Sequence, residues 1–379
     1  SLLETSLQMM STPLLPATAT VQLAVPETRA LFGHAGGAFP APGVNGGEKM
    51  SMRTFAWEKV LAINVYLTSV THAAVYVGSV EALSESETVR INVVDESHER
   101  HVAGLLRGRA SPDAIIFHRF PTNDAWCRDY GAIFLTRDHR DASLMALSFE
   151  YNAWGEKYPP FDLDRAIPRA MAKELSVPRF APGMVLEGGA IDVNGAGALL
   201  TTERCLLNPN RNPTLDRTAI EGRLKNAFGV EQLIWLDGGI EGDDTDGHID
   251  QFARFVSVNR VVVAMESDAT DPNYLPLNEN RRRLREVALV DGRSLEVTDL
   301  PMPDAIYHQG RRLPASYANF YVANEIVILP AFGGRHDDLA REILGDCFAG
   351  REMVAIDSRE LLIGLGGVHC LTQQVPLFG

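Results

Sequence analysis

The sequence contains few cysteines, no excess of positive charge and no long apolar run. Its 4 cysteines are spread over 379 residues without a Cys-X-X-Cys pair. This spacing excludes a zinc ribbon and a disulfide framework, and it favours a reducing compartment. The net charge of −14 argues against a nucleic-acid partner, which requires a basic surface. No apolar stretch reaches the roughly 18 residues of a membrane helix, so we expect no membrane span.

The amino-terminal part differs in composition from the rest. Residues 1–50 are rich in alanine, proline, threonine and glycine without a sustained period, which predicts a disordered arm. They lack a basic segment followed by an apolar one, so we expect no secretory signal peptide. Residues 51–379 are expected to form a single domain, because an apolar fraction of 45 % allows a substantial core. These features favour a cytoplasmic protein and leave a homo-oligomer open.

A β-hairpin followed by a helical segment recurs along the chain. Each hairpin consists of two short apolar strands around a polar turn. The predicted hairpins occupy residues 129–149, 187–202, 248–264 and 317–329. Helical segments between the hairpins are predicted at residues 164–175, 215–228 and 339–346, and a short helix is predicted earlier, at 96–106. The recurrence indicates β-β-α-β modules, and a ring of such modules would bring the first residues of the hairpins to one central opening.

The residues at the start of the hairpins have chemically active side chains. Asp129, Glu187, His248 and Cys370 are separated by 58, 61 and 122 positions. The last separation is about twice the repeat, so Cys370 would begin a fifth hairpin that has only one strand. We expect a strand within residues 60–67 to pair with it and to close the ring. The shared period is the reason to treat these residues as one set.

This set contains a thiol, an imidazole and two carboxylates, to which Asp250 adds a third. A thiolate can attack carbon while an imidazole moves protons. Several carboxylates in one small site repel one another unless a cation lies between them. A planar guanidinium satisfies two carboxylates because its N–H groups form a fork. The set therefore predicts attack by a cysteine on the central carbon of a guanidinium.

Each of these residues also has a structural explanation when it is considered alone. Cys370 in an apolar strand can be a packed core residue. His248 can be a hydrogen-bonded turn residue, Asp129 an ion-pair partner at the surface and Glu187 part of a tight turn. The remaining cysteines are expected to be structural: Cys127, Cys205 and Cys347.

A metal site is a further alternative near the end of the chain. The residues that could form it are His248, Asp250, His369 and Cys370. Their spacing fits no common zinc pattern, so we expect no metal. The acidic stretch at 243–246 is expected to be a solvated loop or to line a substrate entrance.

Six motifs of the chain, in the same order, resemble those of the agmatine deiminase and bacterial-type peptidylarginine deiminase family. They are Trp126-Cys127-Arg128-Asp129-Tyr130-Gly131, Tyr151-Asn152-Ala153-Trp154-Gly155, Leu186-Glu187-Gly188-Gly189, Cys205-Leu206-Leu207-Asn208-Pro209-Asn210-Arg211-Asn212-Pro213, Asp246-Gly247-His248-Ile249-Asp250 and His369-Cys370-Leu371-Thr372-Gln373-Gln374. The resemblance extends from about Glu87 to Pro376. It implies an α/β fold, namely the five-bladed pseudo-symmetric propeller (pentein) of the guanidine-modifying superfamily, with no cofactor and no metal.

The resemblance also implies a role for each residue of the set. Cys370 resembles the nucleophile and His248 the general acid and base. Asp129 and Asp250 resemble the carboxylates that bind the guanidinium, and Glu187 resembles the catalytic-site acid of the second blade. Further substrate-binding positions are expected at Trp126, Trp154, Asp244 and Gly367.

The implied reaction is hydrolysis of agmatine to N-carbamoylputrescine and ammonia, a step toward putrescine. The partner would be a small cationic guanidine compound. Deimination of peptidyl-arginine or of another guanidine compound is the alternative. Two departures from the family leave this choice open: Trp57 is the only tryptophan before Trp126, where the family has a Trp-rich segment, and residues 190–195 differ from its Ser-Ile-His-Val-Asp-Gly.

Two functions from other classes remain as alternatives. A catalytically inactive propeller could serve as a binding module, because a fold alone does not fix a function. A papain-like protease would also use a cysteine and a histidine, but it would need an Asn or Asp that orients the histidine rather than additional carboxylates in the pocket.

Overall fold

The strands of the protein form five larger sheets and one separate two-stranded hairpin within the described residues. The computed structural model describes residues 52–53, 60–65, 73–137 and 143–376. The arm expected at 1–50 and Trp57 lie outside these residues. The β-strands are β1 Met52–Arg53, β2 Val60–Val65, β3 Thr88–Asn92, β4 Ile115–His118, β5 Ile133–Arg137, β6 Ser143–Leu147, β7 Arg179–Phe180, β8 Ile191–Val193, β9 Ala198–Thr202, β10 Gln232–Leu236, β11 Ala253–Ser257, β12 Arg260–Met265, β13 Glu296–Pro301, β14 Tyr307–His308, β15 Arg311–Arg312, β16 Tyr321–Val322, β17 Ile326–Ala331, β18 Glu352–Asp357 and β19 Thr372–Pro376.

The helices lie mainly between the strands. The α-helices are α1 Ala73–Leu83, α2 Glu96–Leu106, α3 Cys127–Tyr130, α4 Ala153–Glu156, α5 Asp162–Glu174, α6 Glu203–Leu206, α7 Arg217–Phe228, α8 Tyr274–Arg285 and α9 Asp337–Cys347. Short 3₁₀-helices lie at Pro112–Ala114, Gly188–Ala190, Ile249–Gln251 and Leu361–Gly364. None of the helices in the described part of the chain combines the length and apolar character that a bilayer crossing requires.

Each of the five larger sheets repeats one strand pattern. An antiparallel strand pair is followed by a third strand that runs parallel to the second, with an α-helix between them. The strand orders are β1-β5-β6-β7, β8-β9-β10, β11-β12-β13, β16-β17-β18 and β19-β2-β3-β4. The crossover helices are α5, α7, α8, α9 and α1, respectively. The β-β-α-β module predicted from the sequence is therefore present in every one of these sheets.

The strand after Cys370 pairs with a strand from the other end of the described chain. β19 is antiparallel to β2, with Gln373 opposite Asn64. β2 continues parallel to β3, and β3 continues parallel to β4. The predicted pairing between residues 60–67 and the strand after Cys370 is therefore confirmed.

Helix α7 illustrates how the local sequence sets an element. Its first turn is capped by Asp216, whose carboxylate accepts a hydrogen bond from the Ala219 N–H at 2.8 Å. It ends at Gly229, which has a φ of +66°. Glycine adopts this left-handed conformation without strain because it has no Cβ atom. Ile220 and Leu224, four residues apart, are buried on one face of the helix. The predicted helix at 215–228 is confirmed with small changes at its start.

Strand β12, at the centre of its sheet, is buried on both faces. Along β12, Val261 and Val263 pack in one cluster with Leu277 of α8, whereas Val262 belongs to the cluster of Leu344 on α9. Alternate side chains of a strand point to opposite faces, so β12 contacts two apolar layers. Full burial of a valine or leucine side chain contributes about 1.5–3 kcal/mol. Neighbouring modules are thus held together through shared apolar layers.

The predicted hairpins begin several residues too early. Asp129 lies in the short helix α3, and 3₁₀-helices directly follow Glu187 and His248. Cys370 lies two residues before β19. Hydrogen bonds between residues three or four apart take up the backbone groups that a strand would use here. The active side chains therefore project from turns that precede the strands.

Helix α8 was not predicted, and the strand expected from residue 317 is limited to β16. Along α8 only Leu277, Asn280 and Leu284 are buried, so its apolar stripe is narrow, and its second half is rich in arginine. A pattern based on apolar spacing alone does not detect such a helix.

Candidate active site

Gly189 lies between three of the predicted site residues. A Cβ atom added to it would be 2.6 Å from His248 Nδ1, 2.8 Å from Asp129 Oδ1 and 3.0 Å from Asp250 Oδ2. All three side chains are buried. The turns before three different sheets therefore bring an imidazole and two carboxylates together around one glycine.

The thiol of Cys370 lies beside this group. Its Sγ is 3.8 Å from Asp250 Oδ2 and 3.3 Å from Asn319 Nδ2. Burial raises the pKa of the Cys370 thiol well above its usual range, and the charges of Asp250 and Asp129 act in the same direction. A cation bound between these carboxylates would remove that repulsion and favour the thiolate.

Arg128 holds the segment that carries the cysteine. Its backbone N–H donates to the Cys370 carbonyl at 3.1 Å. Its guanidinium donates to the side chains of Gln373 at 3.0 Å and Gln374 at 2.7 Å, and to the carbonyl of His369 at 3.4 Å. The position of the thiol is thus set by several hydrogen bonds to one buried arginine.

The two glycines before the cysteine allow close contacts. A Cβ on Gly366 would lie 2.3 Å from the ring of Trp126, and one on Gly367 would lie 2.3 Å from Asn319 Oδ1. A backbone hydrogen bond from Gly367 lowers the pKa of Cys370, although burial outweighs it. Trp126 therefore lies against the cysteine segment and Gly367 lies within it, while their contact with substrate stays a prediction.

Asn319 was missed in the sequence. It precedes β16 by two residues, a position that corresponds to the active residues ahead of the other sheets. Its side-chain oxygen accepts the His369 N–H at 2.9 Å, and its amide nitrogen is 3.3 Å from Cys370 Sγ. Since an asparagine does not ionise, a search for acids, bases and thiols passes over it. The signal available in the sequence was its position, because Asn319 is a polar residue near the start of the fourth predicted hairpin.

Asp129 is held by two donors. The indole Nε1 of Trp154 is 2.9 Å from Oδ2, and the backbone N–H of Gly189 is 2.9 Å from Oδ1. Burial raises the pKa of Asp129 well above its usual range, and the charges of Asp250 and Glu187 raise it further. Trp154, which was expected to bind substrate, thus contacts a carboxylate of the site directly.

Asp250 forms a pair with His369, whose Nδ1 is 2.7 Å from Oδ2. The other carboxylate oxygen of Asp250, Oδ1, is buried and has no hydrogen-bond partner within the described chain. Burial raises the pKa of Asp250 to about 7, whereas Arg254 and Arg128 oppose this rise. A buried acceptor without a donor is unfavourable, so this oxygen is suited to bind an N–H group of a ligand.

His248 is fully buried, and neither of its ring nitrogens has a hydrogen-bond partner among the described residues. Its Nδ1 is 3.8 Å from Asp129 Oδ1, too long for a hydrogen bond. Burial lowers the pKa of His248 well below its usual range, and the charge of Arg211 lowers it further. The imidazole is therefore neutral near pH 7 and can accept a proton.

Glu187 forms a buried ion pair with Arg211, a second residue that was not assigned from the sequence. Arg211 Nε is 2.6 Å from Glu187 Oε1, and Nη1 is 2.6 Å from Asp246 Oδ2. Nη2 donates to the carbonyl of Thr245 at 2.7 Å. The signal in the sequence was an arginine within residues 208–213, a run otherwise made of Asn and Pro. Its guanidinium ties Glu187 to the loop that precedes His248.

The indole of Trp154 is presented by a left-handed turn. Residues 153–156 all have positive φ values, between +50° and +90°. Asn152 supports this turn, because its side chain accepts the Gly155 N–H at 3.0 Å and donates to the Asn210 carbonyl at 2.8 Å. Non-glycine residues in this conformation are strained, so the surrounding contacts must stabilise the turn.

The loop around Asp244 contacts the segment that follows this turn. Asp244 is partly exposed and accepts a hydrogen bond from the Tyr158 hydroxyl, while its carbonyl accepts from Lys157 Nζ at 2.5 Å. Burial raises the pKa of Asp124 to about 6, and Asp244 contributes to this rise. Asp244 therefore does not join the group around Gly189, but it lies near a second acid that was not assigned from the sequence.

The arrangement can hold a cation and attack it. Two buried carboxylates, Asp129 and Asp250, lie beside a thiol and a neutral imidazole. The carboxylates can accept N–H groups on two sides of a planar guanidinium. The imidazole can take the proton of the thiol and return it to a leaving group. This chemistry corresponds to a nucleophilic reaction at a guanidinium carbon.

Known proteins of related sequence match most of the chain. The model of the Porphyromonas-type peptidyl-arginine deiminase family matches residues 54–376. The agmatine deiminase of Pseudomonas syringae pv. tomato is 35 % identical over 326 residues, which cover 80 % of this chain and 87 % of that protein.

Solved structures have the same mixed α/β fold. A cysteine-to-serine variant of C. jejuni agmatine deiminase with substrate bound has a TM-score of 0.75 at 30 % identity, and the match covers 89 % of this chain and 100 % of that one. The agmatine deiminase of Enterococcus faecalis has a TM-score of 0.77 at 28 % identity, with 86 % and 96 % covered. By the extent of these matches, the chain belongs to the Porphyromonas-type peptidyl-arginine deiminase family.

Proposed function

We propose that the protein is a guanidine deiminase that hydrolyses agmatine to N-carbamoylputrescine and ammonia. The observation that carries the proposal is the convergence of Cys370, His248, Asp129 and Asp250 on one buried point beside Gly189. Both carboxylates are buried, and burial raises the pKa of each. A bound guanidinium would neutralise them, which accounts for the arrangement better than a purely structural role.

The reaction begins with proton transfer from the Cys370 thiol to the neutral imidazole of His248. The thiolate forms a bond to the guanidinium carbon, while Asp129 and Asp250 hold the N–H groups and keep the carbon electrophilic. His248 then gives its proton to the leaving nitrogen, the C–N bond breaks and ammonia departs. A positively charged thiouronium group remains on Cys370.

The second half of the reaction uses the same imidazole as a base. His248 removes a proton from a water molecule, whose oxygen attacks the thiouronium carbon. The C–S bond breaks as the new hydroxyl group loses its proton to the Cys370 sulfur, and the neutral ureido product leaves. His248 releases the proton that it took from water to solvent, where ammonia takes it up as ammonium. Glu187, fixed by Arg211, has a carboxylate oxygen within 4.8 Å of a His248 ring nitrogen and stabilises the protonated imidazole.

The choice of agmatine is supported by two acids outside the group around Gly189, namely Asp124 and Asp244. Agmatine ends in an ammonium group, which requires a further carboxylate at some distance from the guanidinium. Asp124 and Asp244 are close enough for the charge of Asp244 to raise the pKa of Asp124. The sequence relative and the two solved structures described above are agmatine deiminases. Peptidyl-arginine is the second candidate, which the family model favours by its description.

We also propose that the five larger sheets surround the site as the blades of a propeller. A polar residue precedes the antiparallel pair of each sheet: Asp129, Glu187, His248, Asn319 and Cys370. The pairing of β19 with β2 joins the two ends of this series. Residues 51–379 would then form one domain. The 4 cysteines, which include no Cys-X-X-Cys pair, favour a cytoplasmic location.

The proposal is tested by assay of the purified protein with agmatine and with a peptide that contains arginine. We expect ureido product and one ammonia per turnover from agmatine, and little from the peptide. Cys370→Ala should abolish turnover, whereas Cys347→Ala, which removes a thiol on α9, should not. A thiouronium adduct on Cys370, detected by mass spectrometry after rapid acid quench, would establish the nucleophile. Turnover of the peptide alone would favour the second candidate, and turnover of neither would refute both.

A further inference from the structure

A second cysteine lies beside the catalytic imidazole. One ligand atom each of Glu187, Cys205 and His248 lies within 4.8 Å of the other two. All three residues are fully buried. Cys205 is carried by α6, whose first turn is capped by Thr202, and the Thr202 hydroxyl donates to the Gly247 carbonyl at 2.7 Å. This hydrogen bond ties the start of α6 to the residue before His248.

Several polar atoms of this group have no partner within the described residues. They are both ring nitrogens of His248 and the Oε2 atom of Glu187. A buried polar group without a hydrogen bond costs about 1–3 kcal/mol. The other oxygen of Glu187 is fixed by Arg211 at 2.6 Å. In metal sites, a hydrogen bond to one carboxylate oxygen orients the other oxygen toward the metal.

The donor set selects the kind of ion. A thiolate, an imidazole and a carboxylate bind Zn²⁺ or Cd²⁺, whereas Mg²⁺ and Ca²⁺ prefer oxygen ligands alone. Because metal–ligand bonds are about 2.0–2.3 Å long, the three side chains need shifts of about 1 Å to close on one ion. The carboxylate and the thiolate together balance the charge of a divalent ion, so Arg211 faces no added positive charge.

We propose that Glu187, Cys205 and His248 form an inhibitory site for a thiophilic divalent ion, Zn²⁺ or Cd²⁺. On binding, the Cys205 thiol releases its proton to solvent and its sulfur bonds to the metal. The metal also takes the lone pair of one His248 nitrogen, so the imidazole can no longer carry protons. The loss of deiminase activity rests on the function proposed above, but the binding itself does not.

Binding is tested with Cd²⁺ on the Cys370→Ala variant, which removes the thiol of the proposed nucleophile. We expect one equivalent of Cd²⁺ to bind and to produce a thiolate-to-cadmium absorption band. Adding Cys205→Ala should abolish the band, and adding Cys347→Ala as a matched control should leave it. A band that persists without Cys205, or that disappears with Cys370→Ala alone, would overturn the proposal. Melting curves without metal, together with Cys205→Ser as a second variant, verify that the protein is folded.

Inhibition is measured as the ratio of activities with and without Zn²⁺ in each variant. Removal of a residue that only hydrogen-bonds to a metal ligand weakens metal affinity by about 10–100-fold. Removal of the Cys205 thiol, which is itself a proposed ligand, should therefore raise the inhibitory Zn²⁺ concentration by about 100-fold or more. Cys347→Ala should not change it. If Zn²⁺ inhibited the Cys205→Ala variant as strongly as the original protein, the site would be contradicted. If the original protein showed no turnover without metal, the proposed function would be contradicted, and the Cd²⁺ experiment would decide the metal site.

Discussion

Arg211 and Glu187 form an ion pair in which both side chains are completely buried, with Nε 2.6 Å from Oε1. The same guanidinium donates to Asp246 and to the carbonyl of Thr245. One residue therefore connects the turn before β8 to the loop before His248. Because a guanidinium offers N–H groups in several directions, lysine cannot replace it at such a position.

Replacement of Arg211 by methionine should strongly destabilise the protein. Removing one partner of a buried pair leaves an uncompensated charge, which costs about 3–5 kcal/mol. The free energy of unfolding from urea titration measures this effect. Arg293→Met is the matched control, because Arg293 pairs with Asp291 at the exposed surface and its loss should not shift the midpoint. Similar midpoints for the two variants would show that the buried pair is not needed for stability.

The indole of Trp154 should be required for the orientation of Asp129. Trp154→Phe keeps most of the ring but removes the N–H that lies 2.9 Å from Asp129 Oδ2. A hydrogen bond to a charged group contributes about 1.5–3 kcal/mol, so kcat/KM for agmatine should fall by about 10–150-fold.

Trp235→Phe provides the control for this prediction. Its Nε1 donates to Glu221 at 2.8 Å, a bond of the same kind away from the site. The control variant should keep full kcat/KM. If the two substitutions reduced activity equally, the effect would be one of general stability rather than of Asp129.

A methyl group at Gly189 should block the reaction without unfolding the protein. The added Cβ would come within 3.0 Å of His248, Asp129 and Asp250 at once. Displacement of catalytic groups by about 1 Å can reduce the rate by about 100-fold. Gly222→Ala is the control, because a Cβ there meets nothing within 4 Å and lies inside α7. It should stabilise the protein by about 0.5–1 kcal/mol with full activity.

The stability of the protein should decrease as the pH rises toward 8, because of Glu87. Burial raises the pKa of this carboxyl from 4.5 to about 8, while its oxygens accept hydrogen bonds from Asn324 at 2.6 and 3.3 Å. Between these pKa values the folded protein binds more protons than the unfolded chain, so the free energy of unfolding falls with increasing pH.

Urea titrations at several pH values between 5 and 8 test this slope. Glu87→Gln should make it shallower, since glutamine does not titrate. Glu85→Gln, which changes an exposed acid on the same turn, should leave the slope as it is in the original protein. An unchanged slope in Glu87→Gln would assign the pH dependence to other acids.

The repeat and most helices could be predicted because local sequence determines them. Helix α2 has the predicted bounds, since Asp95 caps its first turn and accepts the His98 N–H at 2.8 Å. The repeat was visible because Asp129, Glu187 and His248 recur at separations of 58 and 61 residues ahead of the strand pairs. The strand starts were not, because apolar spacing does not show where hydrogen bonds between residues three or four apart end and strand pairing begins.

Contacts between modules also explain the site residues that were missed. Asn319 contacts Cys370 and Arg211 contacts Asp246, and each of these partners lies in another module. The residue spacing within one motif does not indicate such partners. The left-handed turn at 153–156 directs the N–H of Trp154 to Asp129, a contact that its motif does not indicate, while its contact with substrate stays a prediction. The set of reactive side chains could be predicted, whereas the residues that orient them could not.

The pairing of β19 with β2 has a consequence for folding. Asn64 finds its partner Gln373 only after the intervening chain has been arranged. Contacts between such distant residues slow folding, and until they form β2 presents an open edge that can pair with other chains. Assembly of the nucleophile should therefore be the late event of refolding, and aggregation should compete with it most strongly just before the two ends meet.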